Sequence, residues 1–262
     1  MERNRLFQTV FGCLIAAGML CTSVASAVDS HTQEVLTSFL KHVEASGSID
    51  ATRKSEIKEL IQSEFSSDAL TDSLIKLYPE YSEAVESSDD ENLNQAIKLL
   101  GPLADSDDKF LAADASFYLA RAMMNDERFE DAMPRLEQLI GKMGSHSVHQ
   151  GSAQYFKGVA QAGLLKNQDA IQSFMEFISK NPDAAERLRV SAWRQVQQLQ
   201  AIQEGKLDDV HQRMDYSRRR LTQIETGEKT QEEQDKIVGM LTKLIKEAEK
   251  KECSSNCKKG GT

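Results

Sequence analysis

Large apolar residues in this chain recur at spacings of three and four, and strand-like alternation of β-branched residues does not occur. Val35, Phe39 and Val43 form one such stripe, and Ile57, Leu60, Ile61 and Phe65 another. This spacing returns side chains to one face of an α-helix, so residues 32–78 are predicted to hold three amphipathic helices. The third carries Leu70, Leu74 and Leu77, with Asp68 placed to cap its start and Pro79 placed to open a short fourth helix. Prolines stand at only 79, 102, 134 and 182, which leaves long stretches free to be helical. The predicted fold class is all-α.

The middle of the chain repeats itself. In the blocks NLNQAIKLLGPL from Asn92, RFEDAMPRLEQL from Arg128 and KNQDAIQSFMEF from Lys166, an alanine (Ala96, Ala132, Ala170) precedes a large apolar residue (Leu100, Leu136, Phe174) by four. A second large residue (Leu103, Leu139, Phe177) follows three later. The alanines lie 36 and 38 residues apart, near the period of about 34 of tetratricopeptide repeats. In the central copy Ala115, Leu119, Ala120, Met123, Phe129 and Ala132 stand where that family places small or apolar residues, and Gly158, Ala170, Phe174 and Pro182 match in the next. Over roughly residues 80 to 200 the chain therefore resembles the tetratricopeptide family. It departs from the pattern at Lys157 and Asn167, in the long loop from Gly141 to Gln150, and at Pro134, which falls inside a predicted helix.

The resemblance implies a short α-solenoid of divergent helix hairpins with flanking N- and C-terminal helices, and a concave surface lined by the first helix of each hairpin. Aligning Ala120 with Gly158 places Phe117, Arg121, Met124 and Asn125 on that surface in one copy, and Tyr155, Val159 and Ala162 in the next. Aromatic, methionine and arginine side chains are the kinds that dominate binding hot spots, so these seven are the expected partner-binding groove.

After Pro182, Leu188, Ala192, Val196, Leu199 and Ile202 mark one helix, with Trp193 beside the stripe and Gly205 expected to end it. Val210, Met214, Tyr216 and Leu221 predict another, ending near Gly227. The run GEKTQEEQ reads as a polar linker to a last helix with Ile237, Leu241, Leu244 and Ala248 on one face. The expected division is a signal peptide at 1–27, an N-terminal helical segment at 28–78, repeats at 79–204, a flanking helix at 205–227, a C-terminal amphipathic helix at 228–252 and a disordered tail at 253–262. The blocks LYPEY, ERLRVSAWRQVQQL, RMDYSRRRL and EEQDKIVGMLTKLI, with the signal peptide, are similar to an uncharacterised family of exported helical-repeat proteins of planctomycete bacteria. That likeness implies export and fold and carries no chemistry.

Composition narrows the partners. Arg3 and Arg5 precede the apolar run Leu6–Cys21, and Ala25-Ser26-Ala27 is the small-x-small pattern cut before Val28. Export to the periplasm or beyond is expected, with no membrane span left after cleavage. A formal net charge of −9 argues against nucleic acid and anionic lipid as partners. Cys253 and Cys257 then remain, spaced as C-x3-C; a local disulfide leads, with pairing between chains or free thiols open.

Other polar groups offer little chemistry. His146 and His149 read as polar loop residues, because no further ligand for a metal lies near them in sequence. Arg218-Arg219-Arg220 could clamp an acidic partner or pair with Asp208, Asp209 and Asp215, and the second, structural reading leads. Asp89-Asp90-Glu91 and Asp105 to Asp108 fall at expected turns and caps, and lack the EF-hand pattern. No nucleophile, metalloprotease or phosphate-loop motif occurs. The expectation is a scaffold with no catalytic residue, metal or cofactor that binds a protein or peptide in the cell envelope. The alternative is an assembly subunit that self-associates through its C-terminal helix, and homo-oligomerisation stays open in both.

Overall fold

The computed structural model describes residues 30–64, 66–89 and 92–257. The proposed signal peptide, Val28 and the last five residues lie outside them. The described residues form α1 (Ser30–Ala45), α2 (Ala51–Glu64), α3 (Ser67–Leu77), α4 (Pro79–Asp89), α5 (Leu93–Ala104), α6 (Lys109–Asn125), α7 (Phe129–Ile140), α8 (Gln150–Gly163), α9 (Asn167–Lys180), α10 (Glu186–Ala201), α11 (Leu207–Thr222) and α12 (Glu228–Cys257). No strand occurs among them. The all-α expectation holds.

From α4 to α10 each helix packs on the next, and α4, α6, α8 and α10 also meet one another along one side. This is the nearest-neighbour stacking of a helical repeat. The repeating sequence positions are its core: Ala96, Ala132 and Ala170, with Leu100, Leu136, Phe174, Leu139 and Phe177, are fully buried, and Leu103 is partly so. The small residues permit close approach. A Cβ on Gly158 would stand 2.8 Å from the Phe174 ring, and one on Gly163 would stand 2.3 Å from that of Phe129. Each large side chain removed from water contributes about 2 kcal/mol, and the interlocking sets the helix spacing.

Two features of the repeat were hidden in the sequence. Glu127 after α6 and Leu165 after α8 share a left-handed backbone, with φ of 57° and 61°. In both turns the following N–H reaches back five residues, Arg128 to the carbonyl of Met123 at 2.8 Å and Lys166 to that of Gln161 at 2.9 Å. This is the closure that usually takes glycine, here built twice from other residues. Pro102 and Pro134 stay inside α5 and α7, so each helix omits one rung of its ladder rather than ending.

Other expectations are met or corrected locally. Residues 32–78 hold three helices and Pro79 opens α4. Asp68, however, lies in the first turn of α3, whose cap position is Ser66; there its charge favours the helix dipole. Asp108 does cap α6, accepting the N–H groups of Phe110 and Leu111 at 2.9 and 3.2 Å. α11 ends at Thr222, short of Gly227, closed by Ile224 at φ 61°. The expected linker is itself helical: α12 begins at Glu228 and runs through Cys257, five residues past the expected boundary.

The flanking helices close two sides of the stack. α1 packs on α2, on α3 and on the 3-10 turn Gly144–His146 within the long loop. Phe39 meets Phe110 edge-on at 5.2 Å, and His31 Nε2 lies 3.0 Å from the Ser147 carbonyl. At the other side α11 lies across the turns between α6 and α7 and between α8 and α9, reaching Glu127, Glu130 and Asn167. α12 packs mainly on α11. These last two helices add only Val210 and Ile237 to the buried apolar residues, so polar contacts carry much of their docking.

Candidate functional site

Two of the seven expected groove residues are buried in the core, and the others are partly buried or exposed. Phe117 is 6% exposed and Met124 8%. Phe117 stacks on His149 with ring centroids 3.9 Å apart and also meets Tyr118 and Phe156. Tyr155 packs against Phe174 and Phe177, each at 5.6 Å, and its hydroxyl lies 2.8 Å from Ser191 Oγ. Val159 and Ala162 are partly buried against the same cluster. Asn125 is exposed, and Arg121, half-buried, lies over the Tyr118 ring at 5.3 Å. The seven residues do not form one open surface, because the N-terminal helices and the long loop cover the α6 side.

That cover is organised by a residue the sequence reading passed over. Asp114 is fully buried in α6. Its Oδ2 accepts the hydroxyls of Thr71 at 2.9 Å and Tyr81 at 2.8 Å, drawing α3 and α4 onto α6. Its Oδ1 stands 3.0 Å from Nε2 of His149, close but poorly aligned for a hydrogen bond. Burial and this carboxylate push the Tyr81 phenol well above its ordinary value and the Tyr118 phenol up to about 12. His149 is therefore more than a polar loop residue: it is a packed ring before α8. Among the described residues no group of three or more His, Cys, Asp and Glu could hold a metal ion. The one signal for Asp114 was an acidic residue among alanines and aromatics on a helix with little polar surface.

An open cleft of about 680 Å³ lies between α11, the end of α8 and α10. Phe129, Ala162, Leu199, Ile202 and Tyr216 give it an apolar floor, and Gln195, Gln198, Asp208, His211, Asp215 and Arg218 a polar wall. Of the expected groove residues only Ala162 lines it. The cleft exists because α11 stands off α10 while its arginines hold it to the repeat turns. Arg218 donates to both Glu127 carboxylate oxygens at 3.1 and 2.8 Å. Arg219, nearly buried, donates to Glu130 at 2.7 and 3.2 Å and to the Glu127 carbonyl at 3.1 Å. Its guanidinium sits between the Phe129 and Tyr216 rings, 4.8 and 5.2 Å from their centroids. Arg220 pairs with Glu130 and Glu225 at 3.0 and 2.6 Å.

The structural reading of this cluster holds, with different partners. Apart from a loose Arg218–Asp215 contact at 3.8 Å, the acids come from outside α11; Asp209 instead serves Arg213 and the Gly205 N–H. The electrostatics follow. Hydrogen bonds and charge from Arg218 hold the Glu127 carboxyl below its ordinary 4.5. Burial would raise that of Glu130, but Arg219 and Arg220 outweigh it and lower it as well. Gln212 adds a polar clip to α9, exchanging two hydrogen bonds with Asn167 at 2.9 and 2.8 Å.

At the end of α12 Cys253 is an exposed free cysteine, and the Cys257 side chain lies outside the described residues. No described helix is long and apolar enough to cross a membrane. No protein-family model, curated protein or solved structure matches this chain.

Proposed function

We propose that this protein is an exported, tetratricopeptide-like helical-repeat scaffold that binds a protein or peptide partner in the cell envelope, without catalysis of its own. The observation that carries this reading is the cleft beside α11. An apolar floor with an amide- and charge-bearing wall suits an extended peptide or a single helix: apolar side chains fill the floor, while Gln195, Gln198 and Asp208 can meet the backbone and polar side chains. The arginine clasp fixes the width of the cleft before anything binds, which lowers the ordering cost of association. The repeat stack supplies the rigid wall. Export rests on the basic and apolar N-terminal pattern and the small residues before Val28.

The test is site-specific photocrosslinking in the native envelope. A reporter at Gln198, exposed on the cleft wall, is expected to capture a discrete partner, and one at exposed Lys98 on α5 is not. The captured partner should then bind Gln198→Trp, which fills the cleft, at least about tenfold more weakly than the parent. Equal capture at both positions, or equal binding by the filled variant, removes the cleft as the site.

A further inference from the structure

The charge of the cleft beside α11 is not balanced within it. Six of its lining side chains can carry charge: Glu127, Asp208, His211, Asp215, Arg218 and Arg219. Both arginines are already taken. Arg218 donates to both carboxylate oxygens of Glu127, and Arg219 to both of Glu130. Arg220, behind them, pairs with Glu130 and Glu225. Three guanidinium groups and three carboxylates thus balance inside the clasp, and Asp208 and Asp215 are left over. Asp215 has only His211 at 3.6 Å and Arg218 at 3.8 Å, both beyond hydrogen-bond reach. Asp208 forms no ion pair among the described residues. The two aspartates stand exposed on one face of α11, about 10 Å apart along the helix, with His211 between them.

The chemistry of an occupant follows from that excess. With His211 neutral, the cleft presents two uncompensated negative charges along the rim of an apolar floor. An acidic segment would meet repulsion there and find Arg218 and Arg219 already bound to carboxylates. A purely apolar one would strip water from Asp208 and Asp215 and return nothing. A lysine or arginine satisfies both parts, because its methylene stem lies on apolar surface while its cationic head stays at the rim. The α10 wall, with Gln195 and Gln198, is uncharged, so backbone amides are met on one side and the cation on the other. Building on the cleft as the binding site, we propose that its occupant is a short apolar peptide segment bearing lysine or arginine, with the cationic group held between Asp208 and Asp215. A volume of about 680 Å³ fits a few side chains of such a segment rather than a folded domain.

The experiment selects a displayed library of random dodecapeptides on the purified protein, with Gln198→Trp and the double variant Asp208→Asn, Asp215→Asn as comparisons. Peptides that bind the parent and lose Gln198→Trp are cleft binders. They are expected to carry Lys or Arg beside apolar residues more often than the library does, and to be poor in Asp and Glu. Made synthetically, they should bind the double variant about fivefold or more weakly. Added salt should weaken their binding to the parent and hardly change their binding to that variant. Because both aspartates are exposed, the double variant should keep a helical signal and melting temperature close to the parent's. Cleft binders of neutral or acidic sequence overturn the inference while leaving the cleft as the site. So do basic binders that the double variant holds as tightly as the parent. If no selected peptide is sensitive to Gln198→Trp, the cleft is not the site and the inference falls with it.

Discussion

Asp114 shows how much one side chain can hold in a fold with a lean core. It ties α3 and α4 to α6 through Thr71 and Tyr81, and its second oxygen faces the His149 ring. Removing the carboxylate strands two buried hydroxyls, each of which loses its partner without regaining water. Asp114→Ala is expected to lower unfolding stability by about 3 kcal/mol in a denaturant titration, and Asp114→Asn by clearly less, since an amide oxygen still accepts. At Leu165 the sign reverses. A leucine held at φ 61° carries strain that glycine does not, so Leu165→Gly should leave stability unchanged or raise it by up to about 1 kcal/mol. Tyr155 is half-buried, packed against Phe174 and Phe177. Tyr155→Ala should cost about 3 kcal/mol by the same titration, and would report on packing before binding.

At the scale of elements, what was legible followed from periodicity. The three-and-four spacing found the helices, and the alanine-to-large-residue interval found the residues that the repeats bury. Gly158 is the clearest link between pattern and packing: Gly158→Ala forces the Phe174 ring aside and should lower the melting temperature, at a cost of about 1–3 kcal/mol. What was not legible depended on contacts distant in sequence. Nothing near Arg219 announces Glu130, which lies 89 residues earlier, so the clasp that shapes the cleft had no local signature. Phe117 and Met124 were misplaced on the groove for a related reason. Repeat geometry says which face of α6 is concave, but not that α1, α3 and the His149 loop fold back over it. The polar run at Glu228 misled because tertiary support kept it helical.

The clasp also has a pH signature. Glu127, Glu130 and Glu233 are all held below their ordinary 4.5 by their arginine and lysine partners. Groups depressed in the folded state contribute stability above the unfolded value and lose it as pH falls through the folded one. The docking of α11 and α12 should therefore hold at neutral pH and weaken progressively below about pH 4.5. Hydrogen exchange in α11 should accelerate in that range before exchange in α6 does. Arg219→Met, which keeps bulk but removes the charge, should flatten this dependence.

On the scale of the whole molecule, a central helical stack is covered on one side by α1–α3 through buried apolar and hydrogen-bonded contacts, and on another by α11–α12 through an ion-pair clasp. The two covers should differ in how much the stack depends on them. Deleting residues 228–262 should leave a single cooperative transition lowered by only a few degrees, as α12 rests mainly on α11. The claim at the centre of this account is that the cleft between α11 and the repeats receives the partner. Its most direct test is hydrogen exchange on the complex captured from the envelope. Protection is expected in residues 195–202 and 208–219, with α1–α3 unchanged; protection confined to α1–α3, or none in α10 and α11, would contradict it.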